Sequence, residues 1–489
     1  MVDHVPLFTA APIRRDNEFI TLIATSVAAS YQYSMDFDCL TLLLFADRQA
    51  LQKKLISHIR QSQAKRRIKR KRMSFHKFKD YLSDRQFRRM FRMPKKCFEE
   101  LCYSIREKVG EDEFKTEENL HSTSSTLSGN KRKIFRAHEE STGGFICGEV
   151  KLALSLRVLS GGAYQDLALI YGVGETYTYE IFHDVMENWI CHPDFENSNV
   201  IDLLEDEDAM KAIAREFAAG TTKGVIGGCI GAIDGWLVRI SKPVGVPNAS
   251  NFLSRKGYFA INVQAICDKK KRFLWKSILC RGGEHDASAF AETDLFTYLE
   301  NNADRLLRSK FYFVGDSAYS LRSYLLCPYD SAMSGSDEDA FNFHQSSCRI
   351  YIECAFGEMN LRWGLFWRAM KYGIQRNTIA IDAAMRLHNF IVNYRDRNNC
   401  VDSPDKDLNV YDDECMDFMT ANPDEIIGTY SGEILEQNVR RQPMGRPSKL
   451  RKMGKEWRDK LRNRIVQEGL GRPPCTWKRT ATNNIRITG

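Results

Sequence analysis

The chain has 489 residues, of which 43% are hydrophobic and 27% are charged, an ordinary globular composition with room for about three domains. Its formal charge of +8 is unevenly distributed, because residues 401–436 hold eleven acidic residues and one Lys, whereas residues 440–489 hold fifteen basic residues and three acidic ones. Residues 51–96 are also strongly basic. Two basic arms around a more neutral middle indicate a polyanionic partner such as nucleic acid, and solvated charged faces are the alternative for either arm.

Membrane-spanning, secreted and zinc-finger proteins do not fit this sequence. The apolar stretch Phe19–Ser30 is too short to cross a bilayer, Asp36 and Asp38 interrupt its extension, and no signal-peptide layout precedes it. None of the 14 Cys residues forms a CxxC pair, so zinc ligands at the usual spacing are lacking. We expect reduced, mostly buried thiols in an intracellular protein.

Residues 1–120 are predicted to form a helical N-terminal region with a basic arm. The arm is KRRIKRKR (Lys65–Arg72), in which seven of eight residues are basic, as is typical of a nuclear localisation signal or a phosphate-binding arm. Lys65, Arg66 and Arg67 are therefore candidate DNA contacts. We expect the nucleus as the location, with the cytoplasm as a second compartment, and a solvated helix face is the alternative interpretation of the run.

Helical spacing continues beyond the arm. The residues that recur at this spacing are Phe87, Phe91, Phe98 and Leu101. A Ser/Thr-rich linker is predicted at residues 121–145.

Residues 146–221 have the pattern of a helix-turn-helix. Three apolar-periodic segments are separated by glycine-containing breaks, and they are Leu152–Leu159, Tyr164–Tyr171 and Thr176–Trp189. The third segment is the candidate recognition helix, but its opening residues ETYTYE include no Lys or Arg. A helical bundle that supports the following domain is an equally weighted alternative.

Residues 222–398 are predicted to form a mixed α/β domain. The runs GVIGGCIGAID, LVRIS, GYFAINVQAICD, RFLWKSILC and KFYFVGD favour strands, while HDASAFAETDLFTYLENN indicates one helix. In the segment Ser346–Trp367, Ile350 and Cys354 have the spacing of an apolar helix face. The residues expected on one face of the third run are Phe259, Ile261, Val263 and Ala265.

Three acidic residues in this domain are candidates for a shared site. Asp234 and Asp316 each follow an apolar strand and precede a small residue, and ligands collect where strands end in α/β sheets. Glu353 interrupts the apolar face of the last helix. Converging carboxylates repel one another unless cations neutralise them, and Mg²⁺ or Mn²⁺ prefers such oxygen ligands. Two such ions can promote phosphodiester cleavage.

The motifs AIDGWLVRI, KGYFAINVQAICDKKKRFLWKSI, GGEHDASAF, VGDSAYSL, IECAFGEMNLRWGLF and RLHNFI, in this order, resemble the catalytic domain of PIF/Harbinger-type DDE transposases and of the nucleases derived from them. The resemblance implies a ribonuclease-H-like fold with a DDE triad. By motif position the triad transfers to Asp234, Asp316 and Glu353 as catalytic residues and ligands of two divalent cations. It further implies DNA as the partner, together with a separately encoded Myb-like DNA-binding protein. A homo-oligomer is a separate expectation.

Other residues near these motifs receive more modest predictions. Asp286 fits the family's His-Asp position, but capping of the following helix is preferred, so we leave it outside the triad. Arg362 is a candidate DNA-backbone contact. His285 and His388 receive no ligand role.

The C-terminal part is predicted to consist of an acidic linker at residues 399–439 and a basic tail at residues 440–489. Gly-Arg-Pro occurs twice in the tail and resembles the core of an AT-hook, in which Arg enters the minor groove. Arg446 and Arg472 are therefore candidate DNA contacts with a strong salt dependence.

The sequence thus predicts a metal-dependent DNA endonuclease or strand transferase. The first alternative is a catalytically silent DNA-binding or scaffold protein of the same origin. A second alternative is a ribonuclease-H-like enzyme that acts on RNA.

Overall fold

The computed structural model describes residues 75–110, 114, 146–195, 200–221, 224–398 and 449–472. Several predicted features lie outside these described residues, namely Lys65, Arg66, Arg67, the linker at 121–145, the acidic segment at 399–439 and Arg446. No helix in the described part of the chain combines the length and the apolar composition needed to cross a membrane.

The described chain forms a mixed α/β structure with many helices. Before the sheet the helices are α1 (Phe75–Tyr81), α2 (Asp84–Phe91), α3 (Lys95–Val109), α4 (Gly148–Leu159), α5 (Tyr164–Ile170), α6 (Glu175–Asp184), α7 (Val200–Glu205) and α8 (Glu207–Thr221). The remaining elements are β1 (Cys229–Arg239), β2 (Ala260–Cys267), β3 (Phe273–Arg281), α9 (Asp286–Ala291), α10 (Asp294–Arg308), β4 (Tyr312–Val314), β5 (Leu325–Leu326), α11 (Asp337–Arg362), α12 (Ile374–Arg397) and α13 (Lys449–Gln467).

The aromatic residues of the N-terminal helices form a packed core, as their helical spacing predicted. Phe87, Phe91 and Phe98 are buried, and their ring centroids lie 4.5–5.9 Å apart. The start of α2 is fixed by a capping box, in which the Ser83 side chain accepts a hydrogen bond from the Gln86 N–H and the Gln86 side chain accepts one from the Ser83 N–H.

Helices α4, α5 and α6 agree with the three predicted helical segments, and they contact the chain around the start of α12 directly. The hydroxyls of Tyr164 and Tyr372 lie 2.6 Å apart, and Arg376 of α12 donates a hydrogen bond to the Tyr179 hydroxyl of α6 at 2.6 Å. Gly161 has φ +96°, and a Cβ there would lie 3.3 Å from the Gly364 backbone. These contacts fit the supporting-bundle alternative, while DNA binding by this segment stays a prediction.

The sheet has the strand order β3-β2-β1-β4-β5. β1 and β3 each pair with β2 in antiparallel fashion. β4 is parallel to β1 on the other side, and β5 is parallel to β4. Because β4 is short, it pairs only with the first residues of β1, and the rest of β1 pairs with β2 alone.

Both faces of the sheet are covered, because alternate residues of its strands enter different cores. Ile261, Val263 and Ala265 pack with residues of α11 and α12, and partly buried Phe259 adjoins the same core. Their predicted common face is thereby confirmed. The opposite face contributes to a second core, with Ile230, Ile233, Ile266 and Phe313 packed against α7, α8 and α10.

The prediction that Asp234 ends a strand was wrong. The runs on either side of it form one strand, β1, which continues to Arg239. The parallel pairing with β4 stops at Ala232 opposite Val314. Residues 229–233 are buried, whereas residues 234–237 are partly exposed. Asp234 therefore marks the place where a neighbouring strand ends rather than the end of its own.

Two helices differ from their predicted form. The single helix expected after Asp286 is divided into α9 and α10, because Thr293 caps a new helix by accepting a hydrogen bond from the Phe296 N–H at 3.2 Å. Helix α11 begins earlier than expected, and its buried face includes Cys348 and Ile352, whereas Ile350 is 49% exposed.

Part of the predicted basic tail is a helix that packs on α11 and on the chain around β5. Arg458 of α13 donates hydrogen bonds to the carbonyl oxygens of Cys327 and Pro328 at 3.1 and 2.8 Å. Arg462 forms an ion pair with Glu338 of α11 at 3.0 Å. Gly454 lies so close to the 322–323 backbone that a Cβ would meet it at 2.5–3.0 Å.

This close approach yields a stability prediction. Gly454→Ala should lower the free energy of unfolding by about 1–3 kcal/mol, because the added methyl overlaps backbone atoms that cannot rotate away. Gly357→Ala is the matched control, because it also lies within a helix and its Cβ would meet nothing within 4 Å. The control should stabilise by roughly 0.5–1 kcal/mol. Urea unfolding measures both, and a gain in stability for Gly454→Ala would contradict the docking of α13.

Candidate active site

Asp234 lies at the exposed edge of β1 beyond the end of β4. Its Cα pairs with Ala265 of β2, and its Oδ1 accepts a hydrogen bond from the Gly235 N–H at 2.8 Å. The side chain is 20% exposed. The carboxylate is thus held against a rigid strand while keeping partial access to solvent.

Asp316 reaches the same region from the end of β4. Gly315 precedes it, and a Cβ at this glycine would lie 3.0 Å from Ile233 Cγ2, so a bulkier residue would press against β1. The Asp316 Oδ1 accepts a hydrogen bond from the Ala318 N–H at 2.9 Å. Gln345 of α11 donates to the Gly315 carbonyl oxygen at 2.7 Å. The backbone before Asp316 is therefore tied to α11.

Asp286 belongs to this site as well, although the sequence-based triad left it out. His285 holds the N-cap position of α9 and makes no side-chain capping bond, so the preferred capping role was assigned to the wrong residue. The Asp286 Oδ1 instead accepts hydrogen bonds from Asn262 at 3.1 Å and Gln264 at 2.8 Å. A Cβ on Gly235 would lie 2.3 Å from that oxygen, so the glycine after Asp234 makes room for Asp286.

A sequence signal for Asp286 existed in β2. Asn262 and Gln264 are polar residues within a strand that is buried along its whole length, and buried polar groups need partners. The Gln264 Oε1 in turn accepts a hydrogen bond from the Tyr319 hydroxyl. The amide pair therefore predicts a polar or charged group over this face, and GGEHDA supplies it.

Glu353 and Arg349 complete the cluster from α11. Arg349 Nη1 lies 3.7 Å from Asp234 Oδ2 and forms an ion pair with Glu353. Glu353 is 46% exposed, so it is directed away from the apolar helix face on which the sequence pattern predicted it. Gln345, Arg349 and Glu353 are four residues apart and share one face of the helix. This four-residue spacing was a second sequence signal for side chains that reach the site.

The electrostatics of the site reflect an excess of negative charge. Burial, followed by repulsion from Asp316, raises the pKa of Asp234 to about 7, and Arg349 opposes this rise. Burial also raises the pKa of Asp316, where the Ala318 N–H opposes it and Asp286 adds repulsion. A divalent cation would relieve this repulsion.

The donor set fits Mg²⁺ or Mn²⁺ in its chemistry, because all the candidate ligands are carboxylate oxygens. In the side-chain arrangement that the structure describes, no three Asp, Glu, His or Cys residues converge as a finished metal site. Arg349 lies beside both Asp234 and Glu353 in this arrangement and offsets part of their charge. Asp234, Asp286, Asp316 and Glu353 are therefore the residues that would hold ions.

The remaining predicted residues lie elsewhere. Arg362 is only 1% exposed, which is at odds with a direct DNA contact and fits a structural role. Arg472 is half exposed and forms an ion pair with Asp339 at 2.8 Å. His388 is buried and its Nε2 lies 2.8 Å from the Lys271 carbonyl oxygen.

Comparison with known proteins identifies the class of this domain. Residues 233–389 match the DDE superfamily endonuclease family, and the match contains all four carboxylates of the site. The resemblance to Harbinger-type DDE nucleases is thereby confirmed for this segment.

Among individual proteins, the chain is similar to Protein ALP1-like of Arabidopsis thaliana, with 25% identity over 182 residues. This similarity covers 35% of the chain and 44% of the relative, so the chain spans less than half the length of that protein. No solved structure matches the chain.

The raised pKa of Asp234 predicts a pH-dependent effect of Asp234→Asn in metal-free buffer. The ordinary pKa of this carboxyl is 3.8 and the folded value is about 7. Between these values the unfolded chain is ionised while the folded chain keeps the proton, so this group lowers the stability progressively as the pH rises through the window. Above pH 7 the full loss of stability applies, and below pH 3.8 this group causes no loss.

Asp234→Asn should therefore stabilise the protein by about 1–3 kcal/mol at pH 8 and hardly at all at pH 4. Thermal unfolding in EDTA measures the difference at each pH. Asp304→Asn, at an exposed site on α10, is the control and should give the same small difference at both pH values. A pH-independent effect of Asp234→Asn would contradict the raised pKa of Asp234.

Proposed function

We propose that this chain is a metal-dependent DNA endonuclease or strand transferase. The observation that carries the proposal is the cluster of Asp234, Asp286 and Asp316, in which burial and, after it, repulsion between the carboxylates raise the pKa values of Asp234 and Asp316. The cluster lies within the segment that matches DDE superfamily endonucleases. The strand order, with β1 antiparallel to β2 and parallel to β4, supports the ribonuclease-H-like fold that the resemblance implies.

In this mechanism the chain's own residues hold and orient the reacting groups. Two bound divalent cations would activate the nucleophile and stabilise the leaving oxygen. Asp234 and Asp316 would be the ligands held by the sheet, while the amides of Asn262 and Gln264 keep Asp286 directed towards Gly235. Glu353 would be a further ligand once it separates from Arg349.

The reaction is an in-line displacement at a DNA phosphate. The oxygen of a water molecule or of a 3′-hydroxyl forms a bond to phosphorus, and the bond between phosphorus and the leaving 3′ oxygen breaks. The proton lost by the nucleophile balances the proton that the leaving oxygen gains. The nuclear location, the Myb-like partner and the homo-oligomer remain predictions from the sequence.

The proposal predicts that Asp316→Asn and Asp286→Asn each lower DNA cleavage by at least about 100-fold with Mg²⁺ or Mn²⁺, because each removes a negatively charged ligand from the ions. A labelled DNA duplex and a matched RNA duplex, resolved on a denaturing gel, measure cleavage and substrate class together. Asp304→Asn is the control and should cut like the wild type. Equal cleavage by all variants would refute the carboxylate assignment, and preferential RNA cleavage would favour the RNA alternative.

A non-cleaving DNA-binding protein is the second candidate, and the position of Arg349 favours it. The guanidinium of Arg349 beside Asp234 and Glu353 offsets part of the negative charge without any metal ion. In that case the acidic cluster would bind no metal ion and would not cleave DNA.

Calorimetric titration with Mn²⁺ separates the two candidates. For a nuclease we expect the wild type to bind Mn²⁺, and Arg349→Gln to bind it several-fold more tightly, because a competing positive charge is lost. Asp316→Asn should weaken the binding. A wild-type protein that binds no Mn²⁺ until Arg349 is replaced would instead favour the non-cleaving protein.

A further inference from the structure

The segment between β1 and β2 ends in a tight hairpin with two basic residues at its tip. The Gly257 N–H donates to the Ser254 carbonyl oxygen at 3.0 Å, and the Ser254 N–H donates to that of Tyr258 at 2.9 Å. Gly257 has φ +79°, which a glycine adopts without strain. Arg255 and Lys256 are therefore exposed at a turn of defined shape.

This hairpin is fastened to the chain that leads to Asp286. The Gly283 N–H donates to the Asn251 carbonyl oxygen at 3.0 Å. A Cβ on Gly282 or Gly283 would lie 2.8 Å from a carbonyl oxygen of the hairpin segment, that of Phe252 or Asn251 respectively. The two glycines thus allow a backbone contact that side chains would prevent, and the hairpin segment has a fixed place beside the turn that precedes Asp286.

The base of the hairpin is also held by side chains. The Ser254 hydroxyl donates a hydrogen bond to the Tyr258 carbonyl oxygen at 2.8 Å. The guanidinium of Arg239, at the end of β1, lies 4.7 Å from the centre of the Tyr258 ring. The tip is therefore connected both to β1, which carries Asp234, and to the turn before Asp286.

Arg255 differs from Arg349 in its surroundings. Arg349 is engaged with Asp234 and Glu353. Arg255 is exposed and has no carboxylate within ion-pair distance among the residues that the structure describes. Its charge is thus available to an anion that approaches the turn before Asp286.

We propose that Arg255 is a substrate-binding residue that contacts a backbone phosphate of DNA beside the turn that leads to Asp286. The inference rests on the proposed function. A polyanion must approach a cluster of carboxylates, and an exposed guanidinium on a rigid turn compensates for part of the repulsion. Arginine suits this role because its planar group can donate two parallel hydrogen bonds to a phosphate.

The test compares Arg255→Gln and Arg255→Lys with Arg308→Gln. Arg308 is an exposed arginine that precedes β4, whereas Asp316 follows it, so the control lies at the opposite end of that strand. Fluorescence anisotropy of a labelled DNA duplex, with Ca²⁺ in place of Mg²⁺, gives the dissociation constant at several salt concentrations. Cleavage with Mg²⁺ and calorimetric Mn²⁺ binding are measured on the same proteins.

Arg255→Gln should weaken DNA binding several-fold and reduce the slope of log affinity against log salt by about one, as expected for one lost phosphate contact. Arg255→Lys should keep most of this slope, and Arg308→Gln should match the wild type. Mn²⁺ affinity and the thermal midpoint should stay unchanged in all three, because the residue is exposed and is not a metal ligand.

The outcomes distinguish failure of this inference from failure of the proposed function. A wild type that cuts DNA while Arg255→Gln keeps its affinity, slope and cleavage rate overturns the role of Arg255 alone. A wild type that binds DNA without cutting it, with the expected loss in Arg255→Gln, supports the phosphate contact and overturns the nuclease. A wild type without affinity for DNA overturns both.

Discussion

Mutual repulsion among partly buried carboxylates is the constraint around which the candidate site is organised. Asp234 and Asp316 are brought together because β4 runs parallel to β1 and stops at Val314, opposite Ala232. Burial and this proximity raise the pKa of Asp234 to about 7, so the fold carries an electrostatic cost at neutral pH. Residues that hold such an arrangement without a stabilising role of their own are typical of functional sites.

Hydrogen bonds from β2 hold the carboxylate of Asp286 within this cluster. Its carboxylate accepts hydrogen bonds from two amides of β2, and one of these amides is fixed by the Tyr319 hydroxyl. Gly235 provides the space. Both hydrogen bonds give the partly buried carboxylate polar partners without filling the site. The polar side chains of an otherwise apolar strand are thereby explained by the neighbour they hold.

The sequence predicted the elements that depend on local patterns better than those that depend on tertiary contacts. Apolar alternation identified β2, and helical spacing identified the aromatic core of α2 and α3. It did not reveal that β1 continues past Asp234, since the end of β4 that exposes this residue belongs to a distant segment. Ile350 was expected on an apolar face because its side chain is apolar, yet the packed face of α11 lies elsewhere.

The residues of the candidate site also divide into those marked by a local pattern and those fixed by tertiary contacts. Asp234 and Asp316 could be recognised because each stands directly after an apolar run, which is a local signal. Asp286 could not be separated from a helix cap by its position in the sequence, because the choice depends on the amides of β2 across the sheet. The docking of α13 could not be predicted either, because its basic composition resembled that of a DNA-binding arm.

Helix α11 connects these observations, because it links the site to the C-terminal helix. Gln345 on α11 holds the backbone before Asp316, and Arg349 and Glu353 follow at one-turn intervals on the same face. Near the start of the same helix, Glu338 pairs with Arg462 of α13. A shift of α11 would therefore move Arg349 and Glu353 relative to Asp316, so the contacts of α13 bear on the geometry of the acidic cluster as well as on stability.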